Sequence, residues 1–579
     1  MATDLVRKSK DFAINFKGIL VDMLRSVSNG WKILITDPIS VKVISAAVKM
    51  YDITDENIMV VEDITKGRQP YPAYQAIYFL TPMAKSVDAL LNDMKSKIYA
   101  GGHIFFTAAL SDGLFKKIAT SPYKGYIKNI TELFVDFIAF ESKVITFERP
   151  ESFYHFYSPE SHEFQEEINF IAEKRLALTI QDKLDRYSRM ANMEPLDRPR
   201  AVMFVIDRSF DVFSPILHEF TYQAMANDLL ELVDGRKYSS SQGADGKETI
   251  LDDTDNIWEG LRHTHIAETI NNLLNNFNKF VSENKAAIST SQRSAATGAN
   301  TLKEMRDTIN ALPQFQELKG KFSLHMTMAQ ECMAEFERKK LNKIASIEQD
   351  MATGLTADGS EVKNPVADLA PLLADRDVSI VDKIRLLILF IISREGVNDN
   401  DRKKLLDIAK IPFDDANAIT NLALLGIKLS KSSGKKKVSK KEKKRKKRDD
   451  DVPYELSRYI PNIKYLIEDY IANQLTPSDY PYMRESDAAE DNPDNSGSKK
   501  ITSLRNAKPT WQTKNKDSKD KTSSTGRIIL FIAGGATYAE LRTIYECASS
   551  LKREIYIVTT DVLTPKKFIG QLKELKKVE

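Results

Sequence analysis

The chain has 579 residues but only two cysteines, Cys332 and Cys547, so a disulfide framework is excluded and a reducing, cytosolic compartment is expected. It also lacks a long apolar run: the longest strongly apolar stretch, 386–392, covers seven residues, whereas a membrane-spanning helix needs about 20. The chain has only seven histidines, and the close pair His263 and His265 would point about 200° apart on a helix, too far to share a metal ion. We therefore expect a globular protein that meets membranes only peripherally.

Catalytic and nucleotide-binding motifs are missing as well. The sequence contains neither a Gly-x-Ser-x-Gly elbow nor a His-Glu-x-x-His metal motif. After the first predicted strand, where a phosphate loop would need glycines, the chain has Asp37, which would repel phosphate, and Pro38, which has no N–H to donate. Gly534 and Gly535 follow a C-terminal strand and predict a tight strand-to-helix turn. A nucleotide-dependent α/β enzyme stays open as the alternative to a binding protein.

Short apolar runs alternate with amphipathic segments over the first 150 residues. This alternation predicts a parallel sheet covered by helices on both faces. Ser40, just after the first strand, is the expected N-cap of the first of these helices. The predicted strands are 31–36, 58–61, 76–80 and 103–107, and the predicted helices are Ser40–Tyr51, Ser86–Ile98 and Asp112–Thr120.

A second set of strands is split along the chain. Runs at 133–140, 143–147 and 201–206 resume at 527–533 and 555–559, and the stretch 252–470 between them is strand-poor and helical. The pattern predicts an α/β domain that is interrupted by a helical insertion. Within the insertion, Pro313 breaks a long hairpin candidate, after which Gln314–Asp350 is expected to form one helix ending at Gly354.

Positive charge is concentrated in one tract. Lys431–Arg448 holds twelve lysines or arginines against one glutamate, so the rest of the chain is net acidic although the whole chain carries +3. A nucleic-acid-binding protein would spread such charge over a folded face, so no nucleic acid is expected as a partner. A solvated loop is the favoured interpretation, and anionic lipid binding through Lys435–Arg448 is the alternative. Two polar segments, 429–451 and 484–526, are expected to be unstructured.

Several stretches carry a recognisable pattern, of which the most specific is the signature Val205–Met225. The other stretches are 32–40 with 60–66, 253–268 with 313–316, 531–538 and 561–568. Together they resemble the SM (Sec/Munc) family, most closely its plasma-membrane, syntaxin-binding Munc branch, and the resemblance runs from about residue 20 to 575 outside the polar insertions. One departure is Gly67-Arg68, where relatives often carry two consecutive basic residues.

The resemblance implies a three-domain arch of the α/β class, made of parallel-sheet α/β domains with a mostly helical insertion. It implies no enzymatic activity, no cofactor and no metal. The implied partners are a syntaxin-type SNARE bound one-to-one by a monomer, the assembled SNARE complex and the vesicle SNARE, with recruitment from the cytoplasm to the plasma membrane through syntaxin. The expected domains are 1–137; 138–251 with 471–579; 252–362 with the hairpin; and 363–470.

The resemblance also implies three groups of site residues. The first is a charged cavity face that binds syntaxin. Its positive and negative side chains would align the partner by charge complementarity: Asp37, Lys42, Lys49, Glu62 and Lys66. The second is an apolar slot for the syntaxin N-terminal peptide, closed by one carboxylate: Leu110, Phe115, Ile127, Ile130 and Glu132. From its helical pattern alone, Phe115 would be expected to pack inward. The third is a vesicle-SNARE groove and hinge at Met326 and Pro313.

Overall fold

A computed structural model describes most of the chain, which falls into two compact units, Met1–Arg149 and Pro150–Glu579. The segments 429–451 and 484–526, predicted to be unstructured, lie largely outside the described residues. The described residues are 12–27, 30–159, 168–190, 200–230, 232–239, 248–283, 316–363, 365–431, 454–483 and 526–575.

The first unit contains a five-stranded sheet in the order β2-β1-β3-β4-β5, in which every neighbouring pair is parallel. The strands are β1 (Lys32–Thr36), β2 (Ile58–Asp63), β3 (Tyr71–Leu80), β4 (Tyr99–Phe106) and β5 (Ile127–Glu132), followed by an antiparallel pair, β6 (Ile138–Glu141) and β7 (Val144–Thr146). The helices are α1 (Phe12–Arg25), α2 (Ser40–Ala47), α3 (Met50–Asp55), α4 (Ala84–Ser96) and α5 (Asp112–Ala119).

Two apolar cores lie on opposite faces of this sheet, as the alternating sequence pattern predicts. Leu34 and Ile77 belong to one core with residues of α1 and α2. Ile33 and Ile35 belong to the other with residues of α4 and α5. Adjacent residues of β1 therefore enter different cores, which explains why all five residues of this strand are buried.

Three predictions for this unit are wrong in detail, the first being the strand expected at 133–140, which begins only at Ile138. Ser40–Tyr51 is not one helix, because the backbone is extended at Val48 and Lys49 and α3 starts anew with a capping box to Asp52. Ser40 does not cap α2; the Asp37 carboxylate does so by accepting hydrogen bonds from the Ile39 and Ser40 N–H groups.

The second unit joins strands that are more than 300 residues apart. β11 (Ile528–Ala533) lies between and parallel to β8 (Val202–Asp207) and β13 (Ile555–Thr559). The predicted interruption of an α/β domain by a mostly helical insertion is thus confirmed. The other strands are β9 (Lys237–Ser239), β10 (Glu248–Ile250), β12 (Ala536–Thr537) and β14 (Val562–Leu563). Gly534 and Gly535 both have positive φ, and a Cβ on Gly535 would come within 2.6 Å of Leu563, so the predicted tight turn is confirmed.

Helices form most of the second unit. They are α6 (Glu151–Tyr157), α7 (Ile168–Met190), α8 (Tyr222–Leu229), α9 (Asn256–Leu261), α10 (Ile266–Glu283), α11 (Gln316–Arg338), α12 (Leu341–Thr353), α13 (Pro365–Ala374), α14 (Ile380–Ser393), α15 (Asp399–Ala409), α16 (Phe413–Thr420), α17 (Asn462–Ile471), α18 (Tyr538–Ser550) and α19 (Pro565–Glu574). The expected single helix up to Asp350 is wrong, because Lys340 adopts the left-handed conformation and separates α11 from α12. α12 is terminated by its C-cap Gly354, as predicted.

Candidate functional site

The carboxyl edge of the first sheet is held together by the buried Asp37. Its Oδ1 accepts from the N–H groups of Ile39 and Ser40 at 3.1 and 2.8 Å. Its Oδ2 accepts from the Thr81 N–H at 2.7 Å, the Thr81 hydroxyl at 2.6 Å and the Ser86 hydroxyl at 2.9 Å. Burial opposes the charged form, but these hydrogen bonds outweigh it and lower the pKa of Asp37. Asp37 is only 3% exposed, which argues against direct contact with a partner. Its role is to position the loops at the carboxyl edge of the sheet.

This network lies where an open parallel sheet of this strand order would bind a nucleotide. In such sheets the ligand enters the crevice at the carboxyl ends of β1 and β3, where the helices change face. Here Asp37 follows β1 and its carboxylate binds Thr81, which follows β3. A phosphate would have to enter between the loops after β1 and β3. These loops are joined by the Asp37 carboxylate, which would also repel the phosphate. This arrangement disfavours the nucleotide-dependent alternative.

The other four residues of the expected charged face lie on the surface of the first unit. Lys42, in the first turn of α2, forms an ion pair with Glu148 at 3.0 Å, and its side chain is 49% exposed. Lys49 lies beyond the other end of α2 and is partly buried. Glu62, the last residue but one of β2, pairs with Ile35 of β1, which brings it to the edge that Asp37 organises. Lys66 follows β2, with its side chain 77% exposed and its Nζ 3.8 Å from Asp63.

The expected apolar slot is built by α5, the loop before it and the edge strand β5. Phe115 is 53% exposed, so the inward packing that its helical pattern alone predicts is wrong; Ile118 is the buried residue of α5. Leu110, Ile127 and Ile130 are partly buried against the core on this face. These three side chains give the slot an apolar floor, and the side chain of Phe115, on the helix that follows Leu110, is about half uncovered.

A bulge in β5 brings Ile127 and Ile130 to the same face. Ile127 pairs with Gly102 and Asn129 pairs with His103, so Lys128 is the extra residue. Residues three apart, which would face opposite ways on a regular strand, therefore share a side. At the end of the strand the exposed Glu132 accepts a hydrogen bond from the Leu110 N–H at 2.8 Å. The carboxylate is thus fixed at one end of the apolar floor, where it can attract a cation.

The expected groove and hinge of the second unit are only partly described. Pro313 lies outside the described residues. Met326, on α11, is completely buried in the main core of this unit, as are Met328 and Cys332. Burial of Met326 means that its side chain lines no surface groove in this structure.

Sequence reasoning missed a second buried network, beneath Glu62. Arg68 and Asp93 form an ion pair at 2.7 Å, and Tyr99 donates a hydrogen bond to Glu62 at 2.8 Å. One signal was available: Asp93 falls among Leu90 and Met94 on the apolar side of α4. A carboxylate in such a position needs a buried partner. Among the described residues no group of side chains could hold a metal ion, and no described helix is long and apolar enough to cross a bilayer.

Comparison with known proteins gives consistent matches along the whole chain. The model of the Sec1 family matches residues 32–571. The protein transport protein sec1 of Dictyostelium discoideum is 36% identical, with all of both chains covered. The SNARE-interacting protein KEULE of Arabidopsis thaliana is 30% identical, covering 96% of this chain and 94% of its own. The crystal structure of the Unc18–syntaxin 1 complex from Monosiga brevicollis is similar with a TM-score of 0.81 and 25% identity, covering 98% of this chain and 100% of that chain.

Proposed function

The chain belongs to the Sec1 family, and from this membership we propose that it is a SNARE-binding chaperone, not an enzyme. It clasps a syntaxin-type SNARE and guides SNARE complex assembly for vesicle docking and fusion in exocytosis. The observation that carries this proposal is the end-to-end similarity to an Unc18 protein whose structure was determined with syntaxin 1. The relative named as a SNARE-interacting protein supports the same class of partner.

We further propose that the first unit binds syntaxin through two separate surfaces. The charged face consists of Lys42, Lys49, Glu62 and Lys66 and binds the folded part of syntaxin, with Asp37 positioning it from beneath. The apolar slot consists of Leu110, Phe115, Ile127, Ile130 and Glu132 and binds the N-terminal peptide. The exposure of Phe115 supports the slot, because an uncovered aromatic ring beside an apolar floor can bury a further aliphatic anchor.

Other parts of the proposal concern the remaining partners. The vesicle SNARE and the assembled SNARE complex bind the second unit, where Pro313 acts as a hinge whose opening uncovers Met326. The protein binds syntaxin one-to-one as a monomer and is recruited by it from the cytoplasm to the plasma membrane. Anionic lipid is a further possible ligand of Lys435–Arg448. The domains follow the bounds 1–137, 138–251 with 471–579, 252–362 and 363–470.

A thermal-shift screen separates the proposal from a nucleotide-dependent enzyme. The intact chain is heated with ATP, GTP or NAD, and separately with the cytoplasmic region of a plasma-membrane syntaxin. We expect syntaxin to raise the unfolding temperature, because a ligand that binds only the folded state stabilises it. Stabilisation by a nucleotide together with indifference to syntaxin would contradict the proposal.

Reversing the charges of Lys42 and Lys49 to glutamate is expected to weaken binding of the syntaxin cytoplasmic region at least tenfold. The reversal turns attraction between these lysines and acidic side chains of syntaxin into repulsion, which lowers the affinity. Because the Lys42 side chain is half exposed, salt screens this interaction and the loss should be smaller at high salt. Binding of the isolated N-terminal peptide should not change. Titration calorimetry with both ligands at two salt concentrations measures the two effects.

The matched control for this double reversal is Glu148→Gln, which removes the charge that pairs with Lys42 and leaves both lysines in place. An exposed ion pair contributes only about 0–1 kcal/mol to stability, so this variant should fold and bind syntaxin at least as well as the wild type. Equal losses of syntaxin and peptide binding in the double reversal would indicate a misplaced site.

A further inference from the structure

A buried ion pair lies under the loop that joins β2 to β3. The Arg68 Nη2 is 2.7 Å from the Asp93 Oδ1, and the two side chains are 6% and 7% exposed. Asp93 also accepts a hydrogen bond from the Tyr78 hydroxyl at 3.3 Å. Burial opposes the Arg68 charge, but the Asp93 carboxylate outweighs it and raises the pKa of the guanidinium. The pair is a fixed charged anchor between α4 and this loop.

The same arginine fixes the loop backbone. Its Nη2 donates to the Ile64 carbonyl and its Nε to the Lys66 carbonyl, both at 3.3 Å. The Asp63 carboxylate accepts from the Thr65 N–H at 2.8 Å. Arg68 contacts the loop backbone on either side of Thr65, so hydrogen bonds within the loop fix the loop's conformation. The Lys66 side chain extends into solvent.

Tyr99 connects this anchor to Glu62. Its hydroxyl accepts a weak hydrogen bond from the Arg68 Nη1 at 3.4 Å and donates to the Glu62 Oε2 at 2.8 Å. Burial and the neighbouring Glu62 raise the pKa of Tyr99, which keeps the proton on the hydroxyl and the direction of donation fixed. The chain of contacts thus runs from Asp93 through Arg68 and Tyr99 to the half-buried carboxylate of Glu62.

We propose that Arg68, Asp93 and Tyr99 are positioning residues that set the charge pattern presented to syntaxin at this edge. Arg68 is withdrawn from the surface, so Lys66 is the exposed cation of this loop. It follows two carboxylates: the half-buried Glu62, which Tyr99 holds, and Asp63, which lies 3.8 Å from the Lys66 Nζ. The matching partner surface carries a basic side chain opposite Glu62 and an acidic one opposite Lys66. This inference rests on the proposed function of the charged face.

Tyr99→Phe tests the proposal, because it removes one hydroxyl and keeps the ring that packs edge-on against Tyr78. The affinity of the full chain for the syntaxin cytoplasmic region should fall about three- to tenfold, because the lost hydrogen bond positions Glu62 and only part of its contribution reaches the binding equilibrium. Binding of the N-terminal peptide should stay unchanged. Tyr74→Phe, on the same sheet and in an edge-on pair with Tyr71, is the matched control and should bind both ligands like the wild type.

A double-mutant cycle with Glu62→Ala separates positioning from general stabilisation. If Tyr99 acts by holding Glu62, Tyr99→Phe should have no further effect once Glu62 is alanine. The same loss in both backgrounds, or no loss in the wild-type background, would overturn the proposal. If the wild-type chain itself fails to bind the syntaxin region, the proposed function fails instead, so the two failures are distinguishable.

Discussion

Replacing Arg208 with methionine is expected to lower the free energy of unfolding of the second unit by about 3–5 kcal/mol, because it strands a buried carboxylate. Arg208 and Glu540 are 1% and 0% exposed and form two contacts, Nη2–Oε1 at 2.6 Å and Nη1–Oε2 at 2.7 Å. The guanidinium also donates to the Gly535 carbonyl at 3.0 Å and to the Asp211 carbonyl at 2.6 Å. Arg208 thereby connects the signature segment that follows β8 to the turn at Gly534 and Gly535 that follows β11.

Chemical denaturation measures this loss, and two further variants make the result interpretable. Arg208→Met with Glu540→Leu removes both charges and should recover the part of the loss that comes from the stranded carboxylate, but not the capping box that Glu540 forms with Thr537. Arg527→Met, beside β11, breaks an exposed ion pair with Glu554 and should cost less than about 1 kcal/mol. An unfolding free energy for Arg208→Met within about 1 kcal/mol of the wild type would show that the buried pair does not organise this unit.

Replacing Phe115 with glutamate is expected to weaken binding of the syntaxin N-terminal peptide at least tenfold. The exposed ring can bury an aliphatic anchor against the floor formed by Leu110, Ile127 and Ile130, and burying such a side chain contributes about 1.5–3 kcal/mol. The full cytoplasmic region should lose less affinity, because the charged face still holds it and the two contacts are linked.

Ile19→Glu is the matched control, since Ile19 is an exposed apolar residue, 45% uncovered, on α1 at the opposite face of the sheet. Both variants should fold, because each replaces a side chain that is about half in solvent. Fluorescence anisotropy with a labelled N-terminal peptide measures the difference. A folded Phe115→Glu variant that binds the peptide like the wild type would mean that the slot lies elsewhere.

The layout of both sheets was predictable because buried parallel strands are short continuous apolar runs. This holds for β1 and for the distant partners β8 and β11, each of which ends within one residue of the predicted run. β5 was missed because it is an edge strand with polar residues, and its bulge at Lys128 disrupts the alternation. The break between α11 and α12 at Lys340 could not be predicted, because no glycine or proline marks it. The chain turns at Lys340 and places Leu341 in the core.

The candidate site was less predictable, because burial is a tertiary property. Local pattern favoured an inward Phe115, and the resemblance placed Asp37 on an exposed charged face, whereas the structure reverses both. Asp37 is buried because Thr81 and Ser86, more than 40 residues away, bring their donors to it. Arg68 is withdrawn for the same kind of reason, since Asp93 lies on the apolar side of α4 and requires a counter-charge.

The most direct test of the account is titration calorimetry of the intact chain with the cytoplasmic regions of plasma-membrane syntaxins, each with and without its N-terminal peptide. The account predicts saturable one-to-one binding of at least one syntaxin. Removal of the peptide should weaken that binding without abolishing it, because the charged face remains. Absence of binding to every syntaxin by a folded chain would contradict the central claim.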